Sequence, residues 1–368
     1  MLGNLGESLK GTVAGVGMLI ASFPVLFYNE GCAVDIAKGL EEGLEVVESI
    51  DPAKSVANYN GKLIHANGNA QADSTISDPE FGVEVKALGL SRSVEMYQWE
   101  ESVSEDDKKN KTYRYNKTWS SSPIDSSRFN EPSGHENPAM LYNEKKFSPT
   151  RVNMENLVFS ESLIDSIPVR ETYSYDSATV SRIRAKFGKE SQVTDGNIYL
   201  GANPSAPEIG DVQITHQIAP EGAVSIVGLL NGSTVNSYTT KRKTSILMFD
   251  YGTKDAGTMF QEAQDANVMR TWLVRIGGMF LMFLGFRGLF GPIAAVGGMI
   301  PILGSILNFG LSLVSAVLAF SLSFMTISIA WIFYRPLVGI PLLLIGIGAF
   351  AYLYYLKDKQ KANPQTQS

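Results

Sequence analysis

The chain has 368 residues and a mass of 40.1 kDa, enough for one large or two ordinary domains. Charged residues make up only 18% of it, below the roughly 25% of soluble proteins. Residues 11–28, 288–334 and 336–356 contain no Asp, Glu, Lys, Arg or His. This distribution excludes an ordinary soluble protein and collagen-like, disulfide-rich or largely disordered chains. It predicts a membrane protein with a water-soluble part between its apolar ends.

The negative charge lies in the middle of the chain. Eight bases and two acids lie outside residues 29–269 and give that part a charge of +6, so residues 29–269 carry −12 although the whole chain carries −6. We expect no nucleic-acid partner, because phosphate binding requires clustered bases. Cys32 is the one cysteine, so an intramolecular disulfide is impossible. A region of about 240 residues can nevertheless fold on its apolar core alone.

The N-terminal apolar stretch predicts transmembrane helix 1 at residues 11–28, preceded by a cytoplasmic N-terminus at residues 1–10. Its 18 residues would span about 27 Å as a helix, which is just long enough to cross a bilayer. A cleaved signal peptide is the alternative, but the apolar stretch is long for one and no small-x-small site follows. Gly11 and Gly15 would allow a close contact with another helix.

Residues 29–270 are predicted to form a β-rich (α+β) domain outside the cytoplasm. Apolar spacing indicates helices at residues 33–50 and 256–272, both continuous with membrane spans. Residues 93–103 and 112–121 flank a polar turn and predict a β-hairpin, followed by a loop at 122–138. Residues 152–167 are mixed and favour a helix. Further strands are predicted at 60–68, 196–200, 211–218, 222–230 and 244–250.

The C-terminal third predicts three more spans, at residues 271–290, 305–334 and 337–356. Residues 291–304 contain two prolines and several glycines, and we expect an interfacial or re-entrant hairpin there. Four spans put both termini on one side, and Lys10 with the lysines of the tail, residues 357–368, makes that side cytoplasmic. A fifth span at 291–304 would move the C-terminus across the membrane. The predicted fold class is therefore a multi-pass α-helical membrane protein with a large β-rich (α+β) extracytoplasmic domain.

Motifs for phosphate, zinc or an activated serine are absent from the sequence. His216 shares strand parity with apolar neighbours, which favours a hydrogen-bonded core histidine, and His65 is also predicted to be structural. The best functional candidate is the polar loop with Glu131, His135 and Glu136, whose side chains suit acid–base chemistry or cation binding. The alternative is that these residues only form a loop, since Gly, Pro and Asn shape loops. No catalytic, cofactor-binding or metal-binding residue is assigned, and no cofactor is expected.

Segments at Asn29–Gly31, Glu95–Trp99, Trp119, His135–Pro138 and Tyr334–Pro336 follow one another along the chain. In this order they resemble one family, transmembrane protein 43, also called LUMA, of the eukaryotic nuclear envelope and its bacterial relatives. The resemblance implies one N-terminal span, a large lumenal domain and three C-terminal spans. Cys32 departs from it, since arginine is expected there. The short N-terminus and the missing disulfides suggest a bacterial member. The residues that carry the resemblance are Asn29, Glu30, Gly31, Glu95, Met96, Tyr97, Gln98, Trp99, Trp119, His135, Asn137, Pro138, Tyr334, Arg335 and Pro336.

The resemblance implies a non-enzymatic integral membrane scaffold that self-associates and organises membrane protein complexes, at the nuclear envelope and endoplasmic reticulum in the eukaryotic relatives. The alternative is a membrane-anchored enzyme, or a cation- or ligand-binding sensor, that uses the loop of Glu131, His135 and Glu136. Expected partners are a second copy of the chain and other membrane proteins or lipid. A bacterial protein would lie in the inner membrane with a periplasmic domain, and a eukaryotic one in the endoplasmic reticulum or inner nuclear membrane with a lumenal domain.

Self-association is predicted partly through glycines that crowd one apolar segment, because small residues let helices approach closely in lipid. The alternative is that the same glycines pack the spans of a single chain. The glycines are Gly285, Gly288, Gly291, Gly297, Gly298 and Gly304.

Overall fold

The computed structural model of the protein describes residues 2–105, 110–188, 191–194, 196–297, 301–341, 343–345 and 348. The chain divides into two compact units. We call Met1–Glu41, Arg242–Thr244 and Gln261–Ser368 the membrane unit, and Glu42–Lys241 with Ser245–Phe260 the β unit.

Three helices in the described residues are long and apolar enough to cross a bilayer, and their apolar stretches are Lys10–Val46, Ala256–Leu289 and Ile306–Tyr334. A shorter apolar helix follows at Pro336–Ile345. The predicted fourth span is described only in part, and its end and the tail 357–368 lie outside the described residues. The α-helices are α1 (Leu2–Val46), α2 (Glu161–Ser166), α3 (Ser177–Phe187), α4 (Ala256–Leu289), α5 (Gly291–Gly297) and α6 (Pro301–Tyr334).

Glycines bring α1 and α4 together in the membrane unit. A Cβ atom added to Gly15 would lie 2.7 Å from the Gly285 carbonyl oxygen and 2.9 Å from the Gly288 Cα. One added to Gly288 would lie 2.8 Å from the Gly11 carbonyl oxygen. The predicted close contact at Gly11 and Gly15 is therefore made inside the chain. Gly285 and Gly288, which were also candidates for self-association, have this intramolecular partner.

All strands of the described residues lie in the β unit. They are β1 (Glu48–Ile50), β2 (Leu63–Ala72), β3 (Ile76–Asp78), β4 (Val83–Val85), β5 (Gly89–Glu105), β6 (Lys111–Ser120), β7 (Lys145–Phe147), β8 (Val152–Met154), β9 (Leu157–Phe159), β10 (Glu171–Thr172), β11 (Ser191–Thr194), β12 (Asn197–Leu200), β13 (Val212–Ala219), β14 (Gly222–Asn231), β15 (Thr234–Asn236), β16 (Tyr238–Thr239), β17 (Ser245–Ile246) and β18 (Met248–Tyr251).

One sheet closes on itself. Strand β2 pairs with β14 and β8, β8 with β9, β9 with β15, and β15 with β14, while β1 and β18 extend the sheet. Ile64, Ile226 and Leu230 are fully buried in the core that this ring encloses. The turn between β8 and β9 has Glu155 at φ 54°, the left-handed conformation that a tight hairpin requires. The short strands β8, β9 and β15 alternate in burial because one face is packed against the core, whereas β2 and β14 contain runs of four and five buried residues.

The second sheet has the order β11-β12-β13-β5-β6, with β10 on β13 and β7 on β5. Its core contains Phe81, Met96, Ile183 and Ile214. Helix α3 covers it, starting at the Asp176 cap, whose carboxylate accepts the Thr179 N–H at 2.7 Å. Strands β5 and β6 pair over ten residue pairs, from Met96 with Ser120 to Glu105 with Lys111, so a long hairpin extends beyond the rest of the sheet.

The predicted hairpin, the loop after it and the helix continuing from span 1 all exist, with shifted ends. Helix α1 stops at Val46 rather than at residue 50, because residues 48–50 form β1 and pair in parallel with β2. The favoured helix at 152–167 is wrong for its first half, which forms β8 and β9, and only α2 is helical there. Apolar residues in strands of three residues are too few to show a period of two. The polar turn 106–109 lies outside the described residues.

Candidate functional site

The predicted functional loop lies on one face of the β5–β6 hairpin. Trp99 on β5 and Tyr115 on β6 point to that face, and the His135 ring lies against both. The His135 and Tyr115 rings are stacked with centroids 3.8 Å apart, and the Trp99 ring meets His135 edge-on at 4.8 Å. Such ring pairs stabilise by about 0.5–1.5 kcal/mol each beyond their buried area. His135 is therefore held as a bridge between the loop and the hairpin.

Hydrogen bonds tie the start of this loop to the same face. The Tyr115 hydroxyl donates to Glu101 Oε2 at 2.7 Å and accepts the Glu131 backbone N–H at 2.9 Å. The Asn130 N–H donates to Glu101 Oε2 at 2.5 Å. Desolvation and the hydrogen bond to Glu101 raise the pKa of Tyr115, so its hydroxyl keeps the proton that it donates.

The end of the loop is fixed by the side-chain amide of Asn137, which bonds to the backbone of β5 as a neighbouring strand would. The Trp99 N–H donates to Asn137 Oδ1 at 2.7 Å, and Asn137 Nδ2 donates to the Trp99 carbonyl oxygen at 2.9 Å. Gln98, buried on the opposite face, donates to the Ser122 carbonyl oxygen and accepts the Ile124 N–H. Side chains of the loop and of β5 thus satisfy backbone groups that no strand pairs with at this point.

The three candidate side chains do not converge on one point. His135 Nδ1 lies 2.9 Å from the Glu131 carbonyl oxygen, so Nδ1 carries the proton and donates it. The exposed Glu136 carboxylate accepts the Gly134 N–H with both oxygens at 3.0 Å, and this backbone hydrogen bond is the main reason that its pKa is lowered. Glu131 takes part through its backbone, whose N–H bonds to Tyr115 and whose carbonyl oxygen bonds to His135. In the described part of the chain, no group of three or more His, Cys, Asp or Glu residues is placed to hold a metal ion.

A buried ionic cluster lies inside the second sheet, and sequence reasoning missed it. Arg92 Nη1 lies 2.9 Å and 3.0 Å from the two carboxylate oxygens of Asp78, and His216 Nε2 lies 3.0 Å from Asp78 Oδ2. The side chains of Asp78 and Arg92 are only 1% and 4% exposed. Burial alone would raise the pKa of Asp78, but the hydrogen bond from His216 and the Arg92 charge outweigh it, so that the pKa is lowered. The carboxylate is therefore charged.

The cluster extends from Asp78 to other groups. Arg92 also reaches Glu80 Oε2 at 2.6 Å, and its Nε donates to the Asn143 carbonyl oxygen. The Tyr175 hydroxyl lies 2.9 Å from His216 Nδ1, and burial raises the pKa of Tyr175. With Nε2–H donated to Asp78, a neutral His216 accepts from Tyr175. His216 is thus a fully buried, hydrogen-bonded core histidine, and His65 is likewise bonded to Ser49 and the Lys254 carbonyl.

One sequence signal could have revealed this cluster. Arg92 lies between Leu90 and Val94 on the buried side of β5, and a charged residue with that parity requires a buried counter-ion. Asp78 lies fourteen positions earlier, on β3, and only the tertiary structure shows that it is the partner.

The membrane unit contains a second buried carboxylate. Arg275 on α4 donates to Glu30 on α1 from Nε at 2.7 Å and from Nη2 at 2.8 Å, and Trp331 Nε1 on α6 donates to Glu30 Oε2 at 2.8 Å. Glu30 is fully buried. The Arg275 guanidinium also lies over the Trp272 ring, 4.7 Å from its centroid. Three helices are therefore joined at one carboxylate.

The residues that carry the family resemblance fall into these structures. In the membrane unit, Asn29 Nδ2 donates to the Thr271 carbonyl oxygen, and a Cβ added to Gly31 would lie 2.7 Å from the Tyr334 ring. Arg335 and Pro336 follow the end of α6 and are exposed. In the β unit, Met96 belongs to the second core, the Tyr97 and Trp119 rings lie 5.1 Å apart, and Glu95 is exposed. Pro138 packs near Gly210.

Comparisons with known proteins agree with this placement. The sequence profile of the transmembrane protein 43 family matches residues 96–336. Transmembrane protein 43 of Mus musculus is 31% identical over 357 residues, covering 91% of this chain and 87% of the mouse protein. The Homo sapiens protein is 30% identical with the same coverage, and the Drosophila melanogaster homolog is 26% identical over 97% of this chain and 98% of its own length. No solved structure matches. These relatives are animal proteins and lend no support to a bacterial source.

Proposed function

The chain belongs to the transmembrane protein 43 family, and from this membership we propose that it is a multi-pass membrane scaffold, without enzymatic activity, that self-associates and organises membrane protein complexes. It is an integral membrane protein with three long apolar helices and a large β-rich region. Beyond this, we propose that the chain crosses the membrane several times, that it has a defined orientation, and that it acts as a scaffold.

The observation that carries the multi-pass proposal is that three apolar helices are aligned at both ends. At one end, Gly288 of α4 packs on α1 at Gly11, and Arg287 Nη1 lies 3.5 Å from the Asn308 carbonyl oxygen of α6. At the other end, Glu30 joins α1, α4 and α6 as described above. The apolar parts of all three helices lie between the contact at Gly11 and the contact at Glu30. A single bilayer can therefore contain all three helices. The chain leaves α4 and enters α6 at the same end, and between them residues 291–297 form the short helix α5. Of the hairpin predicted at 291–304, residues 301–304 belong to α6 and residues 298–300 lie outside the described residues.

The orientation follows from the charges and aromatic residues. Tyr28, Trp272, Trp331 and Tyr334 lie at the Glu30 end, where aromatic side chains favour the membrane–water interface. Lys10 lies at the opposite end, which we therefore place in the cytoplasm. The β unit then lies in the periplasm of a bacterium or in the lumen of the endoplasmic reticulum and nuclear envelope of a eukaryote.

The scaffold role is supported over the alternative by how the functional loop uses its residues. His135 and Asn137 hold the loop on the hairpin, and the Glu136 carboxylate is bonded to its own turn. A rigid surface of this kind suits protein contacts. The alternative of an enzyme or sensor predicts instead that Glu131 and Glu136 bind a cation or substrate.

Cys32 provides a direct test of the orientation, because it is the one cysteine and is exposed. In intact cells or sealed vesicles, a membrane-impermeant maleimide should label wild-type protein from the side of the β unit. A Cys32→Ser/Ser368→Cys variant should be protected on that side and react from the cytoplasm. The opposite pattern, or labelling of both from one side, would contradict the topology.

The mass of the full-length protein in a mild detergent tests the scaffold proposal. We expect an oligomer by native mass spectrometry or light scattering, and the Glu131→Gln/Glu136→Gln variant should have the same mass. A clean monomer at high protein concentration would contradict self-association. Saturable binding of a cation by wild type that this variant loses would favour the alternative.

A further inference from the structure

Arg287 is a charged residue for which the described structure offers no counter-ion. It lies in the last turn of α4 and is half-buried, and among the described residues it donates only to the Asn308 carbonyl oxygen, at a long 3.5 Å. Among the described side chains, no carboxylate oxygen lies within 4.0 Å of the Arg287 guanidinium, the distance that defines an ion pair. From residue 288 to residue 334 the sequence contains no acid at all.

Arg275 provides an internal comparison on the same helix. Its guanidinium donates two hydrogen bonds to the buried Glu30 carboxylate and lies over an aromatic ring. A guanidinium has five donors in a planar fork, and an arginine between apolar helices is expected to have an anionic partner. Arg275 has one inside the chain, whereas Arg287 has none among the described side chains.

The position of Arg287 indicates what that partner is. Its neighbour Gly288 packs on Gly11, so Arg287 lies at the same end of the helices as Lys10. By the sequence, the chain outside residues 29–269 carries eight bases and only two acids, Glu7 and Asp358. A cation at the end of an apolar span, on the lysine-rich side, lies at the depth of lipid headgroups.

We propose that Arg287, between α4 and α6, binds the phosphate of an anionic phospholipid headgroup in the leaflet that faces Lys10. The planar guanidinium fork matches the geometry of a phosphate with two oxygens. A lipid is the source of that phosphate, rather than a soluble anion, because Arg287 is half-buried in the last turn of a helix that is apolar enough to cross a bilayer, which puts it at the depth of the headgroups. This site rests on the crossing of α1, α4 and α6 proposed above.

Native mass spectrometry of the full-length protein in a mild detergent tests the proposal, with phosphatidylglycerol and phosphatidylcholine as probes. Wild type should retain phosphatidylglycerol in preference to phosphatidylcholine. Arg287→Gln should weaken retention about fivefold, the factor that one cation near an anionic membrane surface contributes. Arg287→Lys keeps the charge and loses the planar guanidinium, so its retention of phosphatidylglycerol should lie between that of wild type and that of Arg287→Gln. The control Arg114→Gln removes an exposed arginine of β6, in the β unit, and should bind as wild type does.

Three results would overturn the proposal: equal binding of both lipids by wild type, unchanged phosphatidylglycerol binding by Arg287→Gln, or displacement of the lipid by millimolar inorganic phosphate. If Arg287→Gln fails to fold, wild type alone decides, because phosphatidylglycerol should raise its melting temperature more than phosphatidylcholine does. The maleimide test of topology is independent. Correct labelling with no lipid preference would reject the site and leave the multi-pass proposal standing.

Discussion

Replacing Asp78 by asparagine should strongly destabilise the β unit. The substitution keeps the shape of the side chain and removes its charge, which leaves the 4%-exposed Arg92 with only Glu80, whose side chain is 41% exposed. Removing one partner of a buried pair costs about 3–5 kcal/mol. At about 2–4 °C per kcal/mol for a domain of this size, the melting temperature should fall by roughly 6–20 °C. Thermal unfolding of the full-length protein in detergent, followed by tryptophan fluorescence, measures this change.

Two further variants make this prediction specific. Glu48→Gln breaks an ion pair with Lys62 of similar length, 2.8 Å, whose side chains are 43% and 47% exposed, and should cost less than about 1 kcal/mol. Asp78→Asn/Arg92→Met removes both charges and should cost clearly less than the sum of the single changes. Equal effects of Asp78→Asn and Glu48→Gln, or additive costs in the double variant, would refute the assignment of a coupled buried pair.

The same pair predicts a dependence on pH. The pKa of Asp78 is lower in the folded protein than its usual value near 3.9, so the stabilisation is fully present above that value and is lost as the pH falls through the folded pKa. Wild type should therefore lose more stability than Asp78→Asn between about pH 5 and the acid limit of folding. Parallel acid titrations of the two proteins would contradict this expectation.

The remaining predictions concern the loop and the membrane unit. His135→Ala removes two ring contacts and should cost about 1–3 kcal/mol, with faster limited proteolysis within residues 122–138; an unchanged cleavage rate would mean that the ring contacts do not hold the loop. Glu30→Gln leaves Arg275 buried without an anion and should lower the melting temperature of the protein in detergent, by an amount comparable to about 3–5 kcal/mol; the exposed Asp35→Asn is the control and should have little effect. Gly288→Leu should destabilise the protein, because its Cβ would lie 2.8 Å from the Gly11 carbonyl oxygen, while the mass in detergent stays the same; loss of the oligomer from a stable protein would place these glycines between chains.

The membrane character of this protein follows from its sequence alone. Uncharged runs of 18 residues or more have few stable solutions other than a membrane helix, because a buried backbone must satisfy its own hydrogen bonds. Long strands with regular alternation, such as β5 and β13, were also predictable, since a sheet with one packed face imposes a period of two. The strands of two to four residues were not, because they are too short to show a period.

Contacts between residues distant in the sequence were decided by the tertiary structure. Nothing local in the sequence shows that Asp78 faces Arg92 and His216, or that Glu30 meets Arg275 and Trp331, since each group satisfies a partner on another element. The loop with His135 shows the same limit. By sequence, its polar residues fit both a functional site and a structural loop, and the stacking of His135 on Tyr115 is visible only in the tertiary structure. The cause is physical: composition and period fix which surfaces are buried, whereas the geometry of packing determines which buried polar groups meet.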